Sequence, residues 1–90
     1  MVERVRILYT KHADFKFRVL KQHGFIITKE QIEDIIKEPE KVAPGKRGCL
    51  IAHKPVSQTH LIRVIYEQQG DEIKIITFYP ARKERYEDQI

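Results

Sequence analysis

Residues 59–79 read THLIRVIYEQQGDEIKIITFY and contain the clearest structural signal in the sequence. Two runs rich in β-branched, aliphatic and aromatic residues, 59–67 and 72–79, flank the polar segment QQGD at 68–71. Strand-forming runs on either side of a short segment that contains glycine predict a β-hairpin. The C-terminal half of the chain is therefore expected to form antiparallel sheet.

The pairing of this hairpin decides which side chains share a face. An apex at residues 69 and 70 places Arg63 opposite Ile76, and alternation then separates two faces. The face expected to receive helices carries Ile62, Val64, Tyr66, Ile73, Ile75 and Thr77. The other carries Leu61, Arg63, Ile65, Lys74, Ile76 and Phe78. A bulge would shift the register by one residue and exchange the faces, so the assignment depends on a regular hairpin.

Arg63 stands in the middle of the second face. A buried guanidinium without a partner is costly, so an arginine in this place is rarely explained by stability alone. We therefore expect Arg63 to lie on an open or concave face that is suited to a phosphate-bearing partner.

Two helices are predicted before the sheet. After a short strand at 5–9, a helix begins at Thr10 or Lys11 and ends near His23, followed by Gly24 in the usual place of a left-handed residue. Residues 42–44 and 49–53 are expected to form further strands on either side of a turn at 45–48.

The second helix begins with a capping box, in which Thr28 is followed three residues later by Gln31, and it ends before Pro39. The predicted core consists of apolar residues at helical or strand spacing, namely Phe17, Leu20, Ile32, Ile35, Val64 and Ile75. The fold class is α+β, with two N-terminal helices packed on one face of a small, mostly antiparallel sheet.

Length and composition limit the number of domains and the cellular compartments in which the protein is expected. Ninety residues form one domain, 1–90, in which 81–90 is expected to be a short polar helix or a frayed tail. The single Cys49 cannot make an internal disulfide, and no apolar stretch reaches the ~20 residues of a membrane span. These features indicate a cytoplasmic protein without a membrane association.

The charged residues occur in blocks. The formal net charge is +4, residues 41–63 carry five Lys or Arg and no acid, and residues 25–40 have a net charge of −3. Clustered basic charge favours polyanions, including RNA, through the release of counterions.

Several enzyme classes lack support in this sequence, because it contains no Ser-His-Asp pattern, glycine-rich phosphate loop or HExxH motif. No group of ligands at metal spacing is evident, and neither a metal nor a cofactor is predicted. RNA cleavage requires less, since the ribose 2′-hydroxyl is the nucleophile and the protein needs only to align it, move protons and stabilise charge.

Two segments carry side chains that suit this chemistry. His12 lies at the start of the first helix with Lys16 one turn later, where both could contact a phosphate. The alternative for His12 is a hydrogen bond to the backbone at the helix start. The segment 77–86 interleaves Tyr79 with arginines, although its charged end also fits a solvated helix, which is the favoured interpretation for that tail alone.

The order of these segments resembles a toxin-like domain family of unknown function from bacteria, archaea and phages. The similarity rests on YTKHA at 9–13, GF at 24–25, EP at 38–39, LIRVIY at 61–66 and ITFYPAR at 76–82. That family is distantly similar to the BrnT and RelE ribonuclease toxins, which implies helices on one sheet face and RNA on the other. The resemblance implies an arginine four residues after His12, where this chain has Lys16. Lysine keeps the positive charge but lacks the planar guanidinium that donates two parallel hydrogen bonds.

The function predicted from these observations is that of a metal-independent endoribonuclease, or a toxin-like relative of one, acting on free or ribosome-associated RNA. The alternative is a noncatalytic module that binds RNA or a protein through the same basic face. An acidic antitoxin-like protein and a second copy of the chain are further candidate partners. The candidate catalytic residues are His12, Arg63, Tyr79 and Arg82. The candidate RNA-binding residues are Lys16, Arg47, Lys54, Lys83 and Arg85.

Overall fold

The computed structural model describes residues 5–83. Within that range the chain forms two α-helices and five strands, and the predicted α+β class is confirmed. In chain order the elements are β1 (Arg6–Tyr9), α1 (Lys11–Gln22), α2 (Lys29–Lys37), β2 (Lys41–Pro44), a 3-10 turn (Lys46–Gly48), β3 (Leu50–Pro55), β4 (His60–Gln69) and β5 (Glu72–Arg82). Neither of the two helices is long and apolar enough to cross a membrane.

The strands form one mixed sheet in the order β1-β5-β4-β3-β2. The pairs β2–β3, β3–β4 and β4–β5 are antiparallel, whereas β1 runs parallel to β5. A parallel partner for β5 was not predicted, because the two strands are separated by most of the chain and local patterns cannot pair them. The three inner strands, β5, β4 and β3, therefore have neighbours on both sides.

The ends of both helices follow the predicted signals. The Thr10 hydroxyl accepts a hydrogen bond from the Ala13 amide at the start of α1, and Gly24 adopts a φ of +89° just beyond its end. At α2, Thr28 and Gln31 form both hydrogen bonds of a capping box.

The register of the β4–β5 hairpin differs from the prediction for two reasons, the position of its loop and a β-bulge. The two strands extend to Gln69 and Glu72, so the loop contains only two residues, and Gly70 provides the positive φ of +60° that it requires. Further along, Ile65 pairs with Thr77 but Tyr66 pairs with Ile75, which leaves Ile76 as an extra residue.

Three expectations about β5 are therefore wrong. Arg63 pairs with Tyr79 and not with Ile76. Thr77, expected on the face that receives the helices, pairs with Ile65 on the face that carries Arg63. Phe78, expected on the same face as Arg63, is buried in the core. The bulge is anchored by Thr10, whose amide donates to the Ile75 carbonyl (3.1 Å) and whose hydroxyl donates to the Ile76 carbonyl (3.0 Å).

One face of the sheet belongs to the hydrophobic core, and we call it the core face. Its members in the core cluster are Ala52, Ile62, Val64, Tyr66, Ile73, Ile75 and Phe78. Both helices contribute to the same cluster, through Ala13 and Leu20 from α1 and Ile32 and Ile35 from α2. The ring of Phe17 packs against that of Phe78, with 4.6 Å between centroids. Five of the six predicted core residues are buried, and Phe17 is partly buried against them.

The other side of the sheet, here called the opposite face, carries Ile51 and His53 of β3, Leu61, Arg63 and Ile65 of β4, and Thr77 and Tyr79 of β5. Its side chains are not uniformly exposed. Leu61 has no exposed surface and His53 is 1% exposed, whereas Arg63 and Tyr79 are half-buried. The expectation of an open face around Arg63 therefore needs correction, because part of this face is covered.

Two tyrosines in the core layer make stability sensitive to high pH. Burial raises the pKa of Tyr9, and the nearby Glu33 carboxylate, which accepts a hydrogen bond from the Tyr9 hydroxyl (3.2 Å), raises it further. Burial also raises the pKa of Tyr66. A raised folded-state pKa gives stability that is complete below the unfolded-state value near 10 and is lost as the pH rises above it.

We expect the free energy of unfolding to fall above about pH 10, and Tyr9→Phe to make that fall shallower, because phenylalanine cannot ionise. Urea unfolding at several pH values between 8 and 11 measures both slopes. Phe15→Ala is a suitable control, since it alters an exposed aromatic residue of α1 without removing a titrating group. Equal slopes for the wild type and Tyr9→Phe would show that the ionisation of Tyr9 does not contribute to the loss of stability at high pH.

Candidate functional site

Four polar side chains form a continuous row across the opposite face. Lys41 of β2 pairs with His53 of β3, His53 pairs with Arg63 of β4, and Arg63 pairs with Tyr79 of β5. Residues directly opposite each other on neighbouring strands point to the same side of a sheet, with Cβ atoms about 4.5–5.5 Å apart. We call this set, Lys41, His53, Arg63 and Tyr79, the polar row.

The contact between Arg63 and Tyr79 is the best-defined part of the row. Arg63 Nε donates a hydrogen bond to the Tyr79 hydroxyl (3.0 Å), and the guanidinium carbon lies 5.9 Å from the centre of the tyrosine ring. A guanidinium has five N–H donors, of which this bond uses one. The tyrosine therefore helps to orient the Arg63 side chain.

His53 is next to Arg63 in the row and lies beside a carboxylate. Its Nε2 is 3.6 Å from Oε1 of Glu40, and the Glu40 amide donates to the His53 carbonyl (2.9 Å), so a backbone hydrogen bond holds the two residues together. The side-chain contact is an ion pair only when His53 is protonated, and 3.6 Å is too long for a hydrogen bond. Glu40 therefore places a carboxylate beside the row, next to His53.

Apolar pairs border the polar row on both sides. Ile51 pairs with Ile65 on one side, and Pro55 pairs with Leu61 on the other. Charges and hydrogen bonds that are flanked by apolar side chains are screened less by water than those on an open surface. The row is thus a narrow band of polar and basic side chains between apolar pairs.

Two of the predicted site residues, Arg63 and Tyr79, meet in this row. His12 and Lys16 lie on α1, whose buried residues join the core face, so they do not join Arg63 and Tyr79 on the opposite face. The predicted grouping of His12 with these two residues is not found. At the helix start, the side chain that accepts a backbone hydrogen bond is that of Thr10.

The other basic candidates are dispersed. Lys54 makes an ion pair with Asp34 of α2 (2.7 Å), and the exposed Arg82 pairs with His60 near the end of β5. Lys83 follows β5, and its amide donates to the Thr59 carbonyl (2.9 Å). Arg85 lies outside the described residues. Arg47 is exposed in the turn between β2 and β3 and is considered below.

Sequence reasoning missed His53, Lys41 and Glu40 as members of a common site. The useful signal would have been the strand pairing, since a hairpin between β3 and β4 that pairs Pro55 with Leu61 also pairs His53 with Arg63. Within residues 5–83, no three His, Cys, Asp or Glu side chains are grouped so that they could hold a metal ion.

Comparison with known proteins adds no relative. No family model matches this chain, and neither the curated proteins nor the solved structures contain a match.

Proposed function

We propose that the protein is a metal-independent endoribonuclease whose site is the polar row of the opposite face. The observation that carries the proposal is the hydrogen-bonded Arg63–Tyr79 pair in direct register with His53. A phosphate-binding cation, a phenol and an imidazole together supply the charge stabilisation and proton transfer that RNA cleavage requires. We further propose that the helices and the sheet are arranged as in the RelE-type toxins.

In the proposed reaction, the 2′-oxygen of a ribose attacks the adjacent phosphorus as its proton passes to a base. The bond from phosphorus to the 5′-oxygen breaks, and an acid protonates that oxygen. The products are a 2′,3′-cyclic phosphate and a 5′-hydroxyl, with no water consumed. Arg63 stabilises the charge on the phosphorane, Tyr79 and His53 are the proton-transfer groups, and Lys41 adds positive charge at the end of the row.

The burial of His53 favours a second candidate. A histidine that is 1% exposed can reach a substrate proton only if the face above it opens when RNA binds. If it does not open, the same row serves a noncatalytic module that binds RNA or an acidic, antitoxin-like protein through Arg63 and Tyr79. The two candidates share a surface and differ in whether a bond is broken.

Cleavage of a labelled single-stranded RNA in the presence of a chelator distinguishes the two candidates. The enzyme hypothesis predicts cyclic-phosphate ends, and no cleavage where the ribose 2′-hydroxyl at the scissile position is replaced by hydrogen. The same RNA bound to ribosomes is tested in parallel. Binding without cleavage in either setting, over the range pH 5–9, would leave the noncatalytic module.

Binding of RNA at the row should depend on salt. For single strands, the logarithm of affinity falls with the logarithm of salt concentration at about −0.7 for each phosphate contact. We expect Arg63→Gln to make this slope shallower by about one such contact, as measured by fluorescence anisotropy between low and moderate salt. Lys21→Ala, which removes an exposed charge from α1, serves as the control. A slope near zero for the wild type would remove RNA from the list of partners.

A further inference from the structure

A pocket adjoins the polar row on the opposite face. It has a volume of about 660 Å³, within the range of small-molecule sites, and its lining includes Ile51, Ile65 and Cys49 together with Lys46 and Arg47. Ile51 and Ile65 pair directly, and each lies two residues along its strand from His53 or Arg63. Two residues of strand span about 6.7 Å, so the apolar floor of the pocket begins one step from the row.

The turn that forms the rim of this pocket is unusual in its backbone. Arg47 has a φ of +58° and a ψ of +37°, and in residues 5–83 it is the only residue other than glycine with a positive φ. The left-handed region is disfavoured for a side chain of this size, and strain of this kind is concentrated at ligand sites. Hydrogen bonds from Gly45 N to Cys49 O (2.8 Å) and from Cys49 N to Lys46 O (3.0 Å) hold the turn in this form.

We propose that this pocket receives an unstacked nucleobase of the RNA whose phosphate lies on the polar row. The inference rests on the function proposed above and adds a determinant of substrate choice to it. Two isoleucines provide an apolar surface for the flat base, while the side chains of Lys46 and Arg47 provide only hydrogen-bond donors. A rim of donors matches a base edge that carries acceptors, and among the purines guanine, with O6 and N7 side by side, is the best match, because adenine has an N6 donor beside N7.

Guanosine 5′-monophosphate and adenosine 5′-monophosphate are suitable probes, and the isoleucine methyl signals in NMR spectra of the whole chain report on the pocket. We expect the guanosine nucleotide to shift the Ile51 and Ile65 methyl signals and to bind about fivefold or more tightly than the adenosine nucleotide. Arg47→Gly should abolish this preference without loss of folding, because glycine adopts the same φ readily. Lys21→Ala, which removes an equal charge elsewhere, should retain it.

The test separates this proposal from the one on which it rests. Methyl signals that stay unchanged, equal affinity for the two nucleotides, or an unchanged preference in Arg47→Gly would each overturn the base pocket, even if the protein cleaves RNA. A guanosine preference that depends on Arg47 would support the pocket even if no cleavage occurs, in which case the endoribonuclease proposal alone would fail.

Discussion

Phe78→Ala is expected to lower the free energy of unfolding by about 3–5 kcal/mol, the range observed when a buried phenylalanine is truncated. Phe78 has no exposed surface and packs against Phe17 and the core cluster. Truncation removes its apolar contacts and leaves a cavity between α1 and the sheet. Chemical denaturation followed by circular dichroism measures the change.

Phe15→Ala provides a matched control, because it deletes the same side chain from a position that is 55% exposed. Its cost should remain below about 1 kcal/mol, since little apolar surface is uncovered, although the Arg18 guanidinium lies 5.8 Å from the Phe15 ring. Similar losses for the two variants would contradict the bulged register, which directs Phe78 into the core.

Arg63→Lys is expected to lower the rate of RNA cleavage by about 10²-fold or more while RNA affinity changes little. Lysine retains the positive charge, but it cannot present parallel donors to two phosphate oxygens or keep the Nε hydrogen bond to Tyr79. Loss of one preorganised donor in a transition state costs about 2.7–4 kcal/mol. Single-turnover cleavage and anisotropy measure the two effects separately.

The control for this prediction is Arg18→Lys, the same substitution at an exposed site on α1. It should leave both cleavage and affinity unchanged. An Arg63→Lys variant that cleaves at the wild-type rate would show that Arg63 contributes charge alone. Equal losses of RNA affinity and cleavage rate would show that Arg63 binds the ground state and the transition state equally well. Arg63 would then have no specific role in stabilising the transition state.

Much of the fold could be predicted because its signals are local. Thr10, Gly24 and the capping box at Thr28 mark the ends of the helices through hydrogen bonds or backbone angles that span only a few residues. The apolar spacing likewise identified five of the buried side chains, Leu20, Ile32, Ile35, Val64 and Ile75. These features need no knowledge of distant partners.

The register of β5 could not be predicted in the same way. The extra residue at Ile76 is stabilised by Thr10, which lies 66 residues away in the sequence. A bulge reverses every face assignment beyond it, so Thr77 and Phe78 exchanged places. The parallel pairing of β1 with β5 also joins distant parts of the chain and has no short sequence signature.

The candidate site was predicted in part for a related reason. Arg63 was conspicuous as a cation within an apolar strand, and Tyr79 stood near basic residues. His53 and Lys41 join them only through the pairing of three successive strands. His12 was chosen from its position at a helix start, a local feature that carries no information about which layer faces the site.

The most direct test of the polar row as the RNA site is an NMR titration that follows the Arg63 Nε–H signal, assigned from its loss in Arg63→Lys. Single-stranded RNA should shift this signal in a saturable manner, because phosphate contacts would alter the hydrogen bond from Nε to Tyr79. The Arg18 Nε–H signal should stay in place. An Arg63 signal that remains unchanged while RNA is demonstrably bound would contradict the assignment of this row.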